Sequence, residues 1–339
     1  LKAGRTYSEL IKKYPEYGRL VLQMLYNRGL IEKEEIEDFL TPPTPLWKGG
    51  FNDPFLFNNM AAAIDLIIKH IKEGSKIIIY GDYDADGVTS TAILIETLTT
   101  LKANLEPYIP DRVTEGYGLN KKAISELADG GAKLIITVDG GIRSKEEVKL
   151  AKNLGLDVII TDHHIAPAFA KATAGKTGEK SGLPDCLIIN PIVDGEQYPY
   201  KKLAGAGVAF KVAKAIISKS KLAEESKKKL EEKILDLAAI GTVADCVSLL
   251  GENRNLVKRG LEVLNNTKRV GLKELINVAE IKGKIDSWNI AFQIAPRLNA
   301  AGRMDHANTA FELLVTKNKE EAQALARRLN EKNTDRQRI

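Results

Sequence analysis

Three aspartates stand within five residues, directly after a short apolar run. The run is Ile77–Tyr80, and Asp82, Asp84 and Asp86 follow it. A run with no polar face is typical of a strand buried on both sides of a parallel sheet, and open α/β sheets bind ligands where such strands end. Close carboxylates repel one another unless some are protonated or a cation lies among them. The stretch predicts either a cation site or an Asp-rich turn that caps the next helix, and both readings stay open here.

Two later apolar runs end in residues of the same kind. One leads into Asp139, and the next leads into Asp162 and the adjacent histidines His163 and His164. Asp245, far downstream in an apolar helical stretch, is a further candidate because such a helix does not otherwise favour a carboxylate. Aspartate and imidazole without thiolate suit Mn²⁺ and allow Mg²⁺, whereas zinc is disfavoured.

These residues depend on a sheet to bring them together. Apolar runs alternate with helical patterns at about residues 88–101, 121–128 and 144–154, which predicts right-handed crossovers and a mostly parallel sheet. The fold class is therefore α/β, with a five-stranded sheet, flanking helices and a smaller, mainly helical domain after it. The predicted strands are Ile77–Tyr80, Leu105–Ile109, Leu134–Val138, Val158–Thr161 and Leu187–Ile189.

The chain divides into four predicted parts. A proline cluster at residues 41–45 ends an N-terminal helical extension, residues 1–50. The α/β domain covers 51–218, and the mainly helical second part covers 219–318, beginning with a charged linker or exposed helix at 219–232. Residues 319–339 resemble the start of a long polar helix, as if the chain ended inside an element.

Composition excludes several classes of protein. The 339 residues are 44% hydrophobic, which is typical of a globular chain. No apolar run approaches the ~18 residues of a membrane span, and no signal-peptide pattern opens the sequence. Two distant cysteines argue against a disulfide framework and favour a reducing cytoplasm. A net charge of +5 allows a polyanionic partner without requiring one.

Three arginines are candidates for contacting phosphate. Arg112 follows the second predicted strand, and Arg297 and Arg303 flank small residues that let another backbone approach closely. Guanidinium groups bind phosphates bidentately, although any one of these could instead form a structural ion pair. Asn299 is expected to add a polar contact, and Tyr117 to stack on a base or pack in the core.

The motifs DYDADG, VDGG, TDHH and GTVAD, in this order, resemble the DHH phosphoesterase superfamily. More narrowly, PDRVTEGYGLN, LAGAGVAFKVAKAI and PRLNAAGRMDHANTAFELL resemble the RecJ family of single-strand-specific exonucleases. The similarity runs from about Tyr17 to the last residue. It implies the DHH fold and two-metal hydrolysis of single-stranded DNA from 5′ to 3′, releasing mononucleotides in repair and recombination.

The resemblance also assigns roles at the site. It implies two ions, Mn²⁺ or Mg²⁺, that share Asp139. Asp82 holds one ion, while Asp84, His163 and Asp245 hold the other.

The remaining site residues act around those ligands. His164 contacts the scissile phosphate, and Asp86 and Asp162 orient ligands or the histidine ring. A plain turn or capping role stays open for Asp86.

Partners implied by the resemblance are a single-strand-binding protein and a helicase, with a monomeric enzyme. Two departures from the family stand out. Residues 165–181 form a longer connection than usual, and His306 replaces another residue, for which a surface or DNA-edge role is the expectation. Family members also continue into a DHH-associated domain, so this chain is expected to end within the connecting helix and to lack the second wall of the DNA groove. Such a chain is expected to bind DNA weakly and with a steep salt dependence.

The sequence also allows two alternative functions. The first is another DHH enzyme, such as a nanoRNase, a phosphoadenosine phosphatase or a cyclic dinucleotide hydrolase, but these are shorter and lack the RLNAAGR stretch. The second is a non-catalytic DNA-binding scaffold of the replisome. Such relatives have typically lost ligand carboxylates, whereas every expected ligand is present here.

Overall fold

The computed structural model describes residues 6–40, 50–112, 114–116, 118–166, 182–304 and 307–338. Contacts divide the chain into two compact units, residues 1–50 and 51–339. The finer division of residues 51–339 stays a prediction.

The first unit is helical. Leu10, Leu22, Leu25 and Ile36 form its core. Gly29 has φ of 73°, a conformation that favours glycine, and it follows the end of the second helix. The first helix, whose start is fixed by a capping box, was not predicted. The helices are α1 Tyr7–Lys13, α2 Arg19–Asn27 and α3 Lys33–Leu40.

A five-stranded parallel sheet organises the second unit, in the order β2-β1-β3-β4-β5. This confirms the predicted fold class, and the second strand is shifted by one residue at each end. The central strands β1 and β3 are buried because helices cover both faces. The strands are β1 Lys76–Tyr80, β2 Asn104–Tyr108, β3 Ala132–Val138, β4 Asp157–Thr161 and β5 Leu187–Ile189.

Helices surround the sheet and make up nearly all of the second half. The charged segment after residue 219 is an exposed helix, and the polar stretch after residue 319 is one long helix, both as expected. The helices are α4 Met60–Lys72, α5 Ala85–Thr100, α6 Lys121–Asp129, α7 Lys145–Asn153, α8 Gly205–Lys219, α9 Glu224–Lys233, α10 Leu235–Ala244, α11 Gly251–Asn265, α12 Val270–Val278, α13 Ser287–Asn289, a π-helical turn Ile290–Ile294, α14 Ala295–Met304, α15 Asn308–Val315 and α16 Lys319–Arg338.

The strand register brings the candidate residues to one edge of the sheet. Tyr80 pairs with Thr137, and Val138 pairs with Thr161. The chain therefore leaves β1, β3 and β4 at nearly the same level, and the residues after these strands are neighbours in space. Helices α8 and α10 pack against α5, which starts at this same edge. No helix among the described residues has the length and apolarity needed to cross a membrane.

Candidate metal centre

Asp84 both caps a helix and belongs to the acidic group. Its Oδ1 accepts hydrogen bonds from Asp86 N at 2.9 Å and Gly87 N at 3.0 Å. Helix α5 therefore starts at Ala85, three residues before its predicted start, because the aspartate side chain satisfies the first free amides. The two readings of the DYDADG stretch are thus compatible, since the capping aspartate also lies beside Asp82 and Asp139.

Asp139 lies at the centre of the cluster in a rare backbone conformation. Its φ is 58°, in the left-handed region, and it is almost completely buried. A Cβ atom on Gly205 would lie 2.6 Å from Asp139 Oδ1, so only glycine allows the start of α8 to approach this carboxylate. Left-handed backbone at a non-glycine residue is typical of a functional site.

Asp86 connects two helices. Its two carboxylate oxygens accept hydrogen bonds from the first amides of α8, Gly205 N at 2.7 Å and Ala206 N at 2.8 Å. The carboxylate thus caps α8, although it belongs to α5. Asp86 Oδ2 is also 3.8 Å from His163 Nε2. This geometry agrees with an orienting role for Asp86 and shows that its capping function serves a different helix.

The histidines after β4 are held by Asp162. Asp162 Oδ1 accepts hydrogen bonds from the backbone N–H groups of His163 and His164, at 2.7 and 2.9 Å, and lies 2.8 Å from His164 Nδ1. Its Oδ2 accepts a hydrogen bond from Ile142 N. The rings of the two histidines are 4.4 Å apart, between centroids. Asp162 therefore fixes the backbone and one ring nitrogen of this segment.

Asp245 reaches the cluster from the end of α10. Its Oδ2 is 3.7 Å from His163 Nε2, which is itself 3.1 Å from Asp139 Oδ1. Acidic and imidazole groups from four separate segments thus converge. Ligand atoms lie within 4.8 Å of one another in three sets, namely Asp82–Asp84–Asp139, Asp139–His163–His164 and Asp86–His163–Asp245.

Burial and mutual repulsion shift the pKa values of these groups. Burial, with the charge of Asp84, raises the pKa of Asp82 to about 7 and that of Asp245 to about 6. The pKa values of Asp86 and Asp139 are also well above the ordinary range, chiefly because of burial and then of neighbouring aspartates. Without a cation, the cluster therefore holds protons near neutral pH.

The pKa values of the two histidines are shifted in opposite directions. Burial, followed by the charge of His164, lowers the pKa of His163 to about 4, so its ring is neutral. The hydrogen bond to Asp162 raises the pKa of His164. Burial alone would raise the pKa of Asp162, but its hydrogen bonds from His164 keep it below the ordinary value. Asp162 is thus a stable anion beside a ring that readily becomes cationic.

The donor set fits divalent cations. Asp82 Oδ1 and His163 Nε2 are buried and have no hydrogen-bond partner among the described residues. Buried polar atoms are rarely left in this state. Carboxylate oxygens together with a neutral imidazole suit Mn²⁺ or Mg²⁺. A cation would also remove the repulsion that raises the carboxylate pKa values.

The expected phosphate-binding residues have different surroundings. Arg112 is exposed, with its guanidinium 5.1 Å from the ring centre of Tyr83. Arg297 is half-buried and donates from Nε to Asn330 and from Nη1 to the Gln293 carbonyl. Arg112 is thus open to solvent near the acidic stretch, whereas Arg297 is anchored between helices.

Asn299 has a structural contact with the acidic stretch. Its Oδ1 accepts a hydrogen bond of 2.7 Å from Ala85 N, at the start of α5. The side chain of Arg303 lies outside the described residues, as do Tyr117, His306, the proline cluster 41–45 and most of the loop after His164.

Asn190 belongs to the site but was not singled out from the sequence. Its Nδ2 donates a hydrogen bond of 3.0 Å to the His164 carbonyl, and the side chain is buried. A signal was available, because Asn190 directly follows β5, as Asp139 and Asp162 follow their strands. The amides of Gly205 and Ala206 were also missed, since backbone groups leave no mark in residue types.

Comparison with known proteins agrees with this geometry. Residues 76–242 match the N-terminal domain of the DHH family. The single-stranded-DNA-specific exonuclease RecJ of Bacillus subtilis is 44% identical over 323 residues, which cover 94% of this chain. Those residues are 38% of the Bacillus protein, so this chain spans less than half the length of that relative.

Solved structures show the same relationship. A crystal structure of exonuclease RecJ bound to manganese is 37% identical, with a TM-score of 0.71. The match covers 83% of this chain and 67% of that one. RecJ from Thermus thermophilus, in complex with Mn²⁺, is 33% identical with a TM-score of 0.76, over 98% of this chain and 44% of that one. The chain therefore belongs to the RecJ family of DHH proteins.

Proposed function

We propose that this chain hydrolyses phosphodiester bonds in single-stranded DNA with the help of two divalent cations, Mn²⁺ or Mg²⁺. The observation that carries the proposal is the convergence of acidic and imidazole groups from four segments, where Asp82 Oδ1 and His163 Nε2 are buried and find no hydrogen-bond partner among the described residues. RecJ from Thermus thermophilus is known in complexes with Mn²⁺ and with Mg²⁺, which supports the choice of metals.

The ligands are assigned to the ions as follows. Asp82 holds one ion, Asp139 bridges both, and Asp84, His163 and Asp245 complete the second. The proximity of Asp82 to Asp139, and of His163 to Asp139 and Asp245, supports this arrangement. Asp84 lies in the set of Asp82 and Asp139, and Asp86 lies in the set of His163 and Asp245. When bound, the cations neutralise developing charge on the phosphate ester and lower the pKa of a water molecule.

The surrounding residues keep the ligands in place. Asp86 ties α5 to the start of α8, which lies against Asp139, and Asn299 holds Ala85. Asp162 occupies Nδ1 of His164, so Nε2 is the nitrogen that faces the substrate phosphate. Because the pKa of His164 is raised, this nitrogen carries a proton at lower pH and can donate it to a phosphate oxygen.

Substrate contacts are assigned to arginine. Arg112 binds the DNA backbone, since it is accessible to solvent and its positive charge acts on Asp82. Arg297 and Arg303 are the further phosphate contacts. Arg297 binds through Nη2, because its Nε and Nη1 already have structural partners.

Direction, compartment and partners complete the proposal. We infer cleavage from 5′ to 3′ with release of mononucleotides, in repair and recombination, by a monomer in the cytoplasm. The free cysteines Cys186 and Cys246 are compatible with a reducing compartment. A single-strand-binding protein and a helicase are the inferred partners.

One assay tests activity, strand preference and direction together. Purified protein is incubated with DNA labelled at either end, single- or double-stranded, with and without Mn²⁺. We expect metal-dependent release of labelled mononucleotides from the 5′ end of single strands. The Asp139→Asn variant should be inactive, and Asp185→Asn, which changes an exposed aspartate outside the cluster, should match the wild type. Metal-independent cleavage, or equal activity of Asp139→Asn, would refute the proposal.

A further inference from the structure

A cavity lies near the C-terminal end of helix α5, whereas the acidic cluster lies at the N-terminal end of the same helix. It has a volume of about 380 Å³ and is bordered by the ends of α5 and α15 and by the loop that precedes α12. Asp86 and Thr99 are on the same helix, so the cavity is about 20 Å from the cluster at a rise of about 1.5 Å per residue. This volume falls within the range of small-molecule sites.

The lining of the cavity carries excess positive charge. The lining contains Lys233, Lys268, Arg269 and Lys317 and one carboxylate, that of Glu96, while Asp236, outside the lining, also pairs with Arg269. Glu96 is already paired, with Lys233 and with Arg269. Lys268 and Lys317 form no ion pair within the part of the chain that the structure describes. Two ammonium groups are therefore left for an anion from outside.

Arg269 presents one further donor. Its side chain is 7% exposed, and Nε donates to Asp236 at 2.9 Å while Nη2 donates to the Lys233 carbonyl at 2.9 Å and contacts Glu96. Nη1 makes no hydrogen bond to the described residues. Because Nε and Nη2 hold the guanidinium in place, Nη1 is a rigid donor for an oxyanion.

The rest of the lining is apolar. Ile95, Val270 and Val315, which are partly exposed, contribute hydrocarbon surface beside the cationic groups. Inorganic phosphate would leave this surface without a partner, whereas a ligand with a flat apolar body and an anionic group would contact both. The volume, the donors and the apolar wall together select for such a molecule.

A purely structural explanation exists for the lysines. Helices α5 and α15 both end at the cavity, and lysines complement the partial negative charge of helix C-termini. That explanation does not account for Arg269 Nη1, which has no hydrogen-bond partner among the described residues. It also does not account for the cavity, because lysines can stabilise helix C-termini without one.

We propose that this cavity binds a nucleoside 5′-monophosphate, with the phosphate on Lys268, Lys317 and Arg269 Nη1 and the base against the apolar wall. This is the class of molecule that the proposed reaction releases. The choice of a nucleotide among anions with a flat apolar body rests on the proposed function, whereas the binding of such an anion does not, because none of these residues belongs to the acidic cluster.

Calorimetry tests the proposal without catalysis. The purified chain is titrated in EDTA with deoxyadenosine 5′-monophosphate, with deoxyadenosine and with inorganic phosphate. We expect the nucleotide to bind at least about tenfold more tightly than either part alone. The double variant Lys268→Ala/Lys317→Ala should bind it roughly tenfold more weakly, because two charge-assisted contacts are lost. The control Lys282→Ala/Lys284→Ala removes the same charge at exposed positions elsewhere and should bind like the wild type.

Several outcomes would overturn the proposal. They are an absence of binding, phosphate binding as tightly as the nucleotide, or equal affinity of the Lys268→Ala/Lys317→Ala variant. If the wild type binds no nucleotide while this variant merely melts at a lower temperature, the lysines serve the helix ends instead. None of these results bears on DNA hydrolysis, which is measured separately with Mn²⁺.

Discussion

Two buried polar clusters in the second unit differ in whether the chain itself balances their charge. The difference distinguishes a cluster that stabilises the fold from one that is suited to bind a ligand. The first, the acidic cluster, comprises the five aspartates Asp82, Asp84, Asp86, Asp139 and Asp245 with His163. The second, the Lys211 network, comprises Asn52, Tyr198, Lys211 and Glu252. Both are largely withdrawn from solvent, and both join segments far apart in sequence.

The Lys211 network is satisfied within the chain. Lys211 is fully buried, pairs with Glu252 and donates to the Asn52 carbonyl at 2.9 Å. Glu252 accepts hydrogen bonds from Asn52 N and Nδ2 and from the Tyr198 hydroxyl. Lysine and glutamate balance each other's charge and both glutamate oxygens have donors, so the network requires no ligand.

The acidic cluster is not satisfied by the chain alone. His163, the imidazole that lies closest to the carboxylates, is neutral, so negative charge accumulates with little compensation. Burial and this repulsion raise the pKa values of Asp82, Asp86, Asp139 and Asp245. The comparison teaches that burial of charge is not itself a sign of function. The sign is an excess of one charge that the chain leaves for a ligand to balance.

The largest expected effect is that of Asp139→Asn on catalysis. Asparagine keeps the side-chain shape and tolerates the left-handed backbone, but removes the central charge. We expect the rate of nucleotide release to fall by about 10³-fold or more, equivalent to about 4 kcal/mol. Circular dichroism should show an intact fold. A variant with substantial residual activity would show that the cluster does not depend on this carboxylate.

Substitutions in the Lys211 network should lower stability and leave activity unchanged, the opposite of Asp139→Asn. Lys211→Met leaves Glu252 buried without its counter-charge, and we expect the free energy of unfolding to drop by about 3 kcal/mol. Activity per folded molecule should be unchanged. The double variant Lys211→Met/Glu252→Gln should recover part of the loss, whereas Lys229→Met, in an exposed pair with Glu225, should cost less than about 0.5 kcal/mol. A loss of activity without a loss of stability would break the comparison.

The dependence of stability on pH should reveal the uncompensated charge. The pKa of Asp82 is about 7 in the folded chain against 3.8 for an ordinary aspartate, so the folded state binds the proton more tightly. The proton on Asp82 therefore stabilises the folded state. This stabilisation is fully present below the ordinary aspartate pKa and is lost as the pH rises through the pKa of Asp82 in the folded chain. Without metal, we expect the free energy of unfolding to fall by roughly 2 kcal/mol from mildly acidic to mildly alkaline pH.

Denaturant unfolding of the wild type and of Asp82→Asn, in EDTA, isolates this effect. The variant should have a shallower slope, because asparagine does not titrate, and the remaining slope belongs to Asp86, Asp139 and Asp245, whose pKa values are also raised. Adding Mn²⁺ should stabilise the wild type most at high pH, where the carboxylates are ionised. Parallel pH profiles for wild type and variant would show that Asp82 does not carry the shift.

The smallest expected effect is that of Asp162→Asn, because the hydrogen bonds of Asp162 are already made within the chain. Asp162→Asn can still accept hydrogen bonds from the backbone of His163 and His164, but it no longer stabilises a charged His164 ring. We expect a roughly tenfold slower rate and a lower pKa for His164. Rate profiles against pH and imidazole proton NMR measure both. An unchanged His164 pKa would contradict the role given to Asp162.

The sequence alone determined the sheet and most of the candidate site. Short runs rich in apolar residues predicted the five strands, most clearly β1 and β3, because parallel strands covered on both faces have no polar side to interrupt the pattern. The edge strand β2 contains Glu106 and is partly exposed, and its predicted bounds are shifted by one residue. The carboxyl ends of the strands then placed Asp82, Asp139 and His163 together, since parallel strands end at one edge. The helix pattern between strands likewise predicted the crossovers.

Only the tertiary structure decided how these groups are held. That Asp86 caps α8 rather than α5, that Asn299 binds Ala85, and that Gly205 makes room for Asp139 depend on contacts between segments far apart in the sequence. Local propensity carries no information on such pairs, because it reflects interactions within a few residues. The cavity beside Lys268 is likewise invisible in sequence, where its lysines resemble any solvated helix end.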